Sequence, residues 1–114
     1  MKHLIAIFYS LSLLLIFACN NNKNTLGQKS FHVWGNNTKC KATIEKACLT
    51  DGVSEATWDQ DSKLLKLKID TTLTSYSNIL KLVANAGYDN ELFFGNDYAY
   101  SKLEAGCQYE RREE

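Results

Sequence analysis

This 114-residue chain has no surplus of either charge, since thirteen lysines and arginines balance thirteen aspartates and glutamates. Without a basic field nothing neutralises a run of phosphates, so a nucleic-acid partner is not expected. Proline is absent, and the rest of the composition, 45% hydrophobic and 23% charged, is that of an ordinary globular protein. There is no internal repeat, and the length allows one domain rather than two. Also missing are a Ser-His-Asp set, a recognisable pair of catalytic carboxylates and a phosphate-cradling glycine loop, so an enzyme is not expected. The longest apolar stretch, Leu4 to Phe17, is broken by Tyr9, Ser10 and Ser12. It is short of the ~20 apolar residues that a spanning helix needs.

That stretch follows a positive start, Met1-Lys2-His3, and ends in Ile16-Phe17-Ala18-Cys19 before turning polar at Asn20. A charged start, a short apolar run and a small residue at the break describe a secretory signal over residues 1–18. Ala18 followed by Cys19 resembles a bacterial lipobox, although Phe17 is bulkier than the usual residue there. The resemblance implies that Cys19 is diacylated after cleavage, and two acyl chains anchor a protein stably to a membrane. The expected location is the bacterial cell envelope, facing the periplasm or the surface. Residues 19–29 then read as the lipidated cysteine and a polar tether, because Asn, Lys, Gly and Ser build no core.

The folded part is expected over residues 30–95, with an extension over 96–114. A short strand over 30–35 places Phe31 and Val33 on one face and His32 and Trp34 on the other. A helix over 38–49, capped by Asn37 or Thr38, aligns Ile44, Ala47 and Cys48. Strands over 53–60 and 63–70, joined by Asp59-Gln60-Asp61-Ser62, form a hairpin in which Leu65, Leu67 and Ile69 share a face. A second helix starts at Thr74 or Ser75 and runs to Ala86, with Ile79, Leu82, Val83 and Ala86 inward and Gly87 as its stop. A last strand over 91–95 completes β-α-β-β-α-β, an α+β ferredoxin-like sandwich with two helices on one face of a four-stranded antiparallel sheet. A further helical piece is expected over 97–103. Trp34 and Trp58 read as packing residues and His32 as an edge residue. The charged end, Glu110 to Glu114, reads as disordered.

Four cysteines remain to be placed. With Cys19 lipidated, Cys40, Cys48 and Cys107 make an odd number, so full pairing within one chain is impossible. An oxidising compartment nevertheless permits a disulfide. Cys40 stands where the first strand meets the first helix, and amide groups, the helix dipole, Lys39 and Lys41 all favour a thiolate there. Cys48 lies eight residues on, a rise of ~12 Å along the helix. That is too far for a shared ion or a bond with Cys40, and its position on the buried stripe makes it a core residue. Cys107 is twelve residues past Gly95, within reach of the Cys40 loop.

Val33-Trp34-Gly35-Asn36, Cys40, Ile44-Glu45-Lys46-Ala47, Gly52-Val53, Ala56, Trp58-Asp59 and Ala86-Gly87-Tyr88-Asp89 together resemble the heavy-metal-associated (HMA) domain family over roughly residues 30 to 95. Ala99-Tyr100-Ser101-Lys102-Leu103 with Cys107 is similar to the tail of its lipoprotein and periplasmic subset. The resemblance implies a binder of Cu(I) or another soft ion, with Cys-x-x-Cys at the loop into the first helix. Here Cys40 matches the second cysteine and Asn37 stands in place of the first. Tyr88 matches the residue that lies near that loop.

Three arrangements follow from the resemblance. Cys40 and Cys107 supply two thiolates to one ion. Alternatively, Cys40 shares an ion with a second copy or with a metal-transfer partner, helped by the shared membrane anchor. In the third, the domain binds no metal and serves protein contacts, with Cys40 free or in a structural disulfide with Cys107.

Overall fold

The computed structural model describes residues 25–114. The expected signal segment, Cys19 and the first part of the tether lie outside the described residues.

Alternation in the segment Leu64–Asp70 sends Leu65, Leu67 and Ile69 to one side, and all three are fully buried. This strand, β3, is the centre of the sheet. β1 (Leu26–His32) pairs with one edge and β2 (Val53–Trp58) with the other, both antiparallel, in the order β1-β3-β2. The register sets Phe31 and Trp58 opposite Leu65, and Ala56 opposite Leu67. β1 begins at Leu26 rather than Ser30, so its first four residues come from the segment expected to be tether. Backbone demand explains the longer strand: every β3 residue from Leu64 to Asp70 gains a partner on β1, while Gln28, Lys29 and Ser30 keep their side chains in water.

The two helices are α1 (Thr38–Ala47) and α2 (Tyr76–Asn85). Asn37 caps the first and Ser75 the second. α1 directs Cys40, Ile44 and Cys48 inward at four-residue spacing. Its outer face is not idle. Lys41 Nζ donates to Glu45 Oε2 at 2.5 Å and to the Trp58 carbonyl at 3.0 Å, and Glu45 Oε2 accepts from the Trp58 N–H at 2.8 Å. The pair thus ties α1 to the end of β2. α2 buries Ile79, Leu80, Val83 and Ala84. Its stripe is therefore rotated from the expected one, and Leu82 is left 38% exposed. Gly87 ends α2 with φ +104, its N–H on the Ala84 carbonyl and the Tyr88 N–H on the Val83 carbonyl, a Schellman closure.

Both helices join the sheet in one apolar cluster with Phe31, Val33 and Trp58. Each fully buried aliphatic or aromatic side chain contributes about 1.5–3 kcal/mol. Trp58 Nε1 donates to the Val33 carbonyl at 3.0 Å, which satisfies the polar end of a fully buried ring.

The expected fourth strand is a correction: the sheet has three strands among the described residues, and 91–95 is irregular. One bridge survives, Val33 opposite Asn90, with the Trp34 N–H on the Asp89 carbonyl and the Glu91 N–H on the His32 carbonyl. Side chains have taken over the rest of the ladder. Asn90 Oδ1 accepts from the Leu92 and Phe93 N–H groups, and Asp89 Oδ1 accepts from the Gly95 N–H. Glu91 Oε1 accepts from the His32 N–H at 2.7 Å, where a strand carbonyl would otherwise sit. Such local bonds compete directly with strand pairing.

The extension continues as α3 (Asp97–Ser101), shorter than the expected 97–103, and a 3-10 turn at Ala105–Cys107. The charged end is a second correction, since Arg111 and Arg112 are ordered against the body. Asp89 is fully buried, and a buried carboxylate needs a counter-charge. Arg111 supplies it with Nε 2.8 Å from Asp89 Oδ2 and Nη2 2.8 Å from Oδ1. The Arg112 N–H adds a bond to Oδ2 at 2.9 Å, and its guanidinium lies 3.8 Å from the Phe94 ring centroid.

Candidate metal centre

The site forms where the loop into α1 meets the returning extension. Asn37 caps α1 from an extended backbone, its Oδ1 accepting from the Lys39 N–H at 3.0 Å and the Cys40 N–H at 3.4 Å. Cys40 is thereby fixed in the first turn. The other end of the Asn37 amide faces the extension, with Nδ2 donating to the Gly106 carbonyl at 2.7 Å. Asn36 Nδ2 reaches the same oxygen at 3.3 Å.

Aromatic residues steer the extension into place. Tyr109 is buried, its hydroxyl donating to the Gly87 carbonyl at 2.6 Å and accepting from the Asp89 N–H at 2.8 Å. Burial foremost, with the Asp89 charge, holds this phenol above its ordinary pKa. Tyr100 donates its hydroxyl to the Tyr109 carbonyl at 2.6 Å, and the two rings meet edge to face. Anchored on both sides, the 3-10 turn presents Cys107 to Cys40.

Cys40 and Cys107 are joined in a disulfide, with Cα atoms 5.3 Å apart across a sequence separation of 67. Cys40 is 0% exposed and Cys107 3%. The sequence makes this meeting possible but does not require it. In this state Cys40 is neither a thiolate nor available to a second molecule. Tyr88, also fully buried, places its hydroxyl 3.7 Å from Cys107 Sγ and stacks on Tyr109. Burial raises the pKa of its phenol. A cleft of about 320 Å³ opens beside Cys107, bounded by Lys39, Ala42, Thr43, Tyr88, Leu103 and Glu104.

Cys48 is fully buried and free, its thiol 3.3 Å from the Ile44 carbonyl. Burial, aided by the Glu45 charge, pushes its pKa up to about 12, which fits the core role expected of it. His32 lies outside the site, stacked on Trp34 with ring centroids 3.9 Å apart.

Among the described residues no set of three or more His, Cys, Asp or Glu converges. Zinc sites use three or four such ligands, so the chemistry open to the site is that of two sulfurs. The sequence reading missed the roles of Asn36, Tyr109 and Arg111. Their signal is weak, since each acts through contacts with residues far along the chain, Asn36 on Gly106 and both Tyr109 and Arg111 on Asp89.

No protein-family model and no curated protein matches the chain. Two solved structures do. A solution structure of a candidate copper-ion-binding protein from Bacillus anthracis str. Ames is 21% identical, with TM-score 0.56, covering 60% of this chain and 100% of its own. A structure of the CopZ metallochaperone is 24% identical, with TM-score 0.54, covering 56% of this chain and 98% of its own. At these identities the likeness establishes the fold: a small α+β domain with an antiparallel sheet and packed helices.

Proposed function

We propose that this chain is an HMA-type carrier of Cu(I) or a chemically similar soft ion, tethered to a membrane in the cell envelope through acylated Cys19. The observation that carries the reading is the return of Cys107 to Cys40 at the start of α1. Two sulfurs, one from the core fold and one from the extension, replace a Cys-x-x-Cys pair that Asn37 interrupts. A soft monovalent ion accepts thiolate ligands in low number. An ion held by both needs the sulfurs about 3.5–4.5 Å apart, given metal–sulfur bonds of ~2.3 Å. Side-chain rotation after reduction opens that span between Cα atoms 5.3 Å apart.

Other residues suit the same cargo. The N-terminus of α1 favours negative charge on Cys40. Tyr88 and Tyr109, stacked and buried, close the site from the side of the 87–89 loop. Two solved structures similar to this fold are a copper-ion-binding candidate and a metallochaperone, which supports an ion handed to a partner. The tether would keep such an exchange at the membrane surface.

A second reading, a purely structural disulfide in an interaction module, is favoured by the burial of both sulfurs. Titration of the reduced protein with Cu(I) separates the two. One ion bound per chain, tightly enough to compete with a chelator, supports the carrier. Absence of stoichiometric binding supports the structural role.

A further inference from the structure

The two bridged sulfurs are not equivalent to an incoming reagent. Cys107 lines the cleft and Cys40 does not. Cys40 lies within the buried cluster, with no exposed surface. The Tyr88 hydroxyl lies 3.7 Å from the Cys107 sulfur at the wall of the cleft. The positions also differ in what happens after cleavage. A thiolate released at Cys40 would sit in the first turn of a ten-residue helix, whose amides and dipole stabilise negative charge. Thiol–disulfide exchange is governed by which sulfur is reached and by how readily the other leaves.

We infer that the Cys40–Cys107 bridge is a thiol–disulfide exchange site with a fixed polarity, attacked at Cys107 through the cleft and releasing Cys40. The co-reactant is a dithiol. Its first thiolate attacks Cys107 Sγ, a new S–S bond forms, and the Cys40–Cys107 bond breaks with its electron pair leaving on Cys40. The second thiol of the reductant then attacks the mixed bond, releasing Cys107 as a thiolate. The reductant ends as a disulfide and the protein as a dithiol, two electrons having moved. Lys39, at the mouth of the cleft, offers positive charge to an approaching thiolate, although Glu104 at 3.3 Å shares it. The cleft bounds the size of the attacking group to something slender, such as a cysteine on an exposed loop. This inference concerns the same sulfurs as the proposed metal site but needs no ion, so it stands or falls separately from Cu(I) binding.

The test is regiochemical and is run on metal-free oxidised protein. Brief exposure to glutathione, an acid quench, alkylation of free thiols and peptide mapping locate the first adduct. Glutathione on Cys107 with alkylated Cys40 is the expected result. Glutathione on Cys40, or an even division, overturns the inference, as does failure to form any adduct under conditions that reduce an exposed disulfide. A second variant tests the route. Ala42 is exposed on α1 and borders the cleft, so Ala42→Phe narrows access without touching the core. Reduction by dithiothreitol should slow about tenfold, as access limits exchange. An unchanged rate with retained stability shows that the cleft is not the path.

Discussion

Asn37 holds Gly106. The bond from Nδ2 to the Gly106 carbonyl, 2.7 Å long, spans 69 positions, and the same side chain caps α1 through its oxygen. Asn37 is thus the clasp that brings Cys107 of the extension to Cys40. A thiol at position 37 could neither accept two backbone bonds nor donate to that carbonyl as an amide does.

Substitutions at Asn37 should separate these two roles. Asn37→Ala removes the cap, a loss of about 1 kcal/mol, and releases the extension as well. Asn37→Asp keeps the cap and loses only the donor to Gly106. Both variants should reduce faster with dithiothreitol, and only the alanine should also show the cap loss in urea unfolding. Equal reduction rates for wild type and both variants would remove Asn37 from the clasp.

The bridge closes a long loop. A sequence separation of 67 corresponds to about 4 kcal/mol of unfolded-state entropy in the chain-entropy picture. Urea unfolding with and without reductant should show a difference of that order. A difference below about 1 kcal/mol would mean that the reduced, unfolded chain is already confined or that the bridge adds little.

The Arg111–Asp89 pair should make stability depend on acid. Burial works against the Asp89 carboxylate, but the Arg111 guanidinium, with the Arg112 and Gly95 N–H groups, outweighs it and holds the pKa below its ordinary value. A carboxyl depressed in the folded state contributes stability above the unfolded value, ~3.9, and loses it as pH falls through the folded one. Stability should therefore be level above about pH 5 from this group and decline below about pH 4. Arg111→Ala leaves a buried charge unpaired and should cost about 3 kcal/mol near neutral pH. Thermal melts across the acid range check both statements. Asp89→Asn should flatten the acid decline if this carboxyl is its source.

Gly35 touches the Trp58 ring. A Cβ there would lie 2.8 Å from Trp58 Cζ2 and 3.1 Å from Ile44 Cδ1. The ring cannot retreat while Nε1 is bound to the Val33 carbonyl, so Gly35→Ala should destabilise by about 2 kcal/mol through overpacking. Denaturant unfolding measures it, and a neutral result would show that the loop before α1 yields instead.

Much of this fold was legible in the sequence because its signals are local. Alternation at Leu65, Leu67 and Ile69, the caps at Asn37 and Ser75, and the stop at Gly87 each act within a few residues. Cys48 was readable as core from its helical spacing with Ile44 and Ala47. The fourth strand failed because Asp89, Asn90 and Glu91 spend their side chains on backbone groups that a strand would pair, and apolar pattern says nothing of that. The rotation of α2 that exposes Leu82 depends on packing against the sheet. The ordering of Arg111 depends on a carboxylate 22 positions earlier. At the site, Cys40 was identifiable by its place at a helix start and Cys107 by its reach. The extension is held there by Asn37 on Gly106 and by Tyr109 on Gly87 and Asp89, which spacing does not encode.

The most direct test compares Cu(I) affinity of the reduced protein with that of Cys107→Ser, using a competing Cu(I) chelator. Two-sulfur binding predicts one ion per chain for the reduced protein and a loss of at least tenfold in affinity for the serine variant, since one of two soft ligands is gone. Unchanged affinity in Cys107→Ser, or no stoichiometric binding by the reduced wild type, would contradict a metal site shared by Cys40 and Cys107.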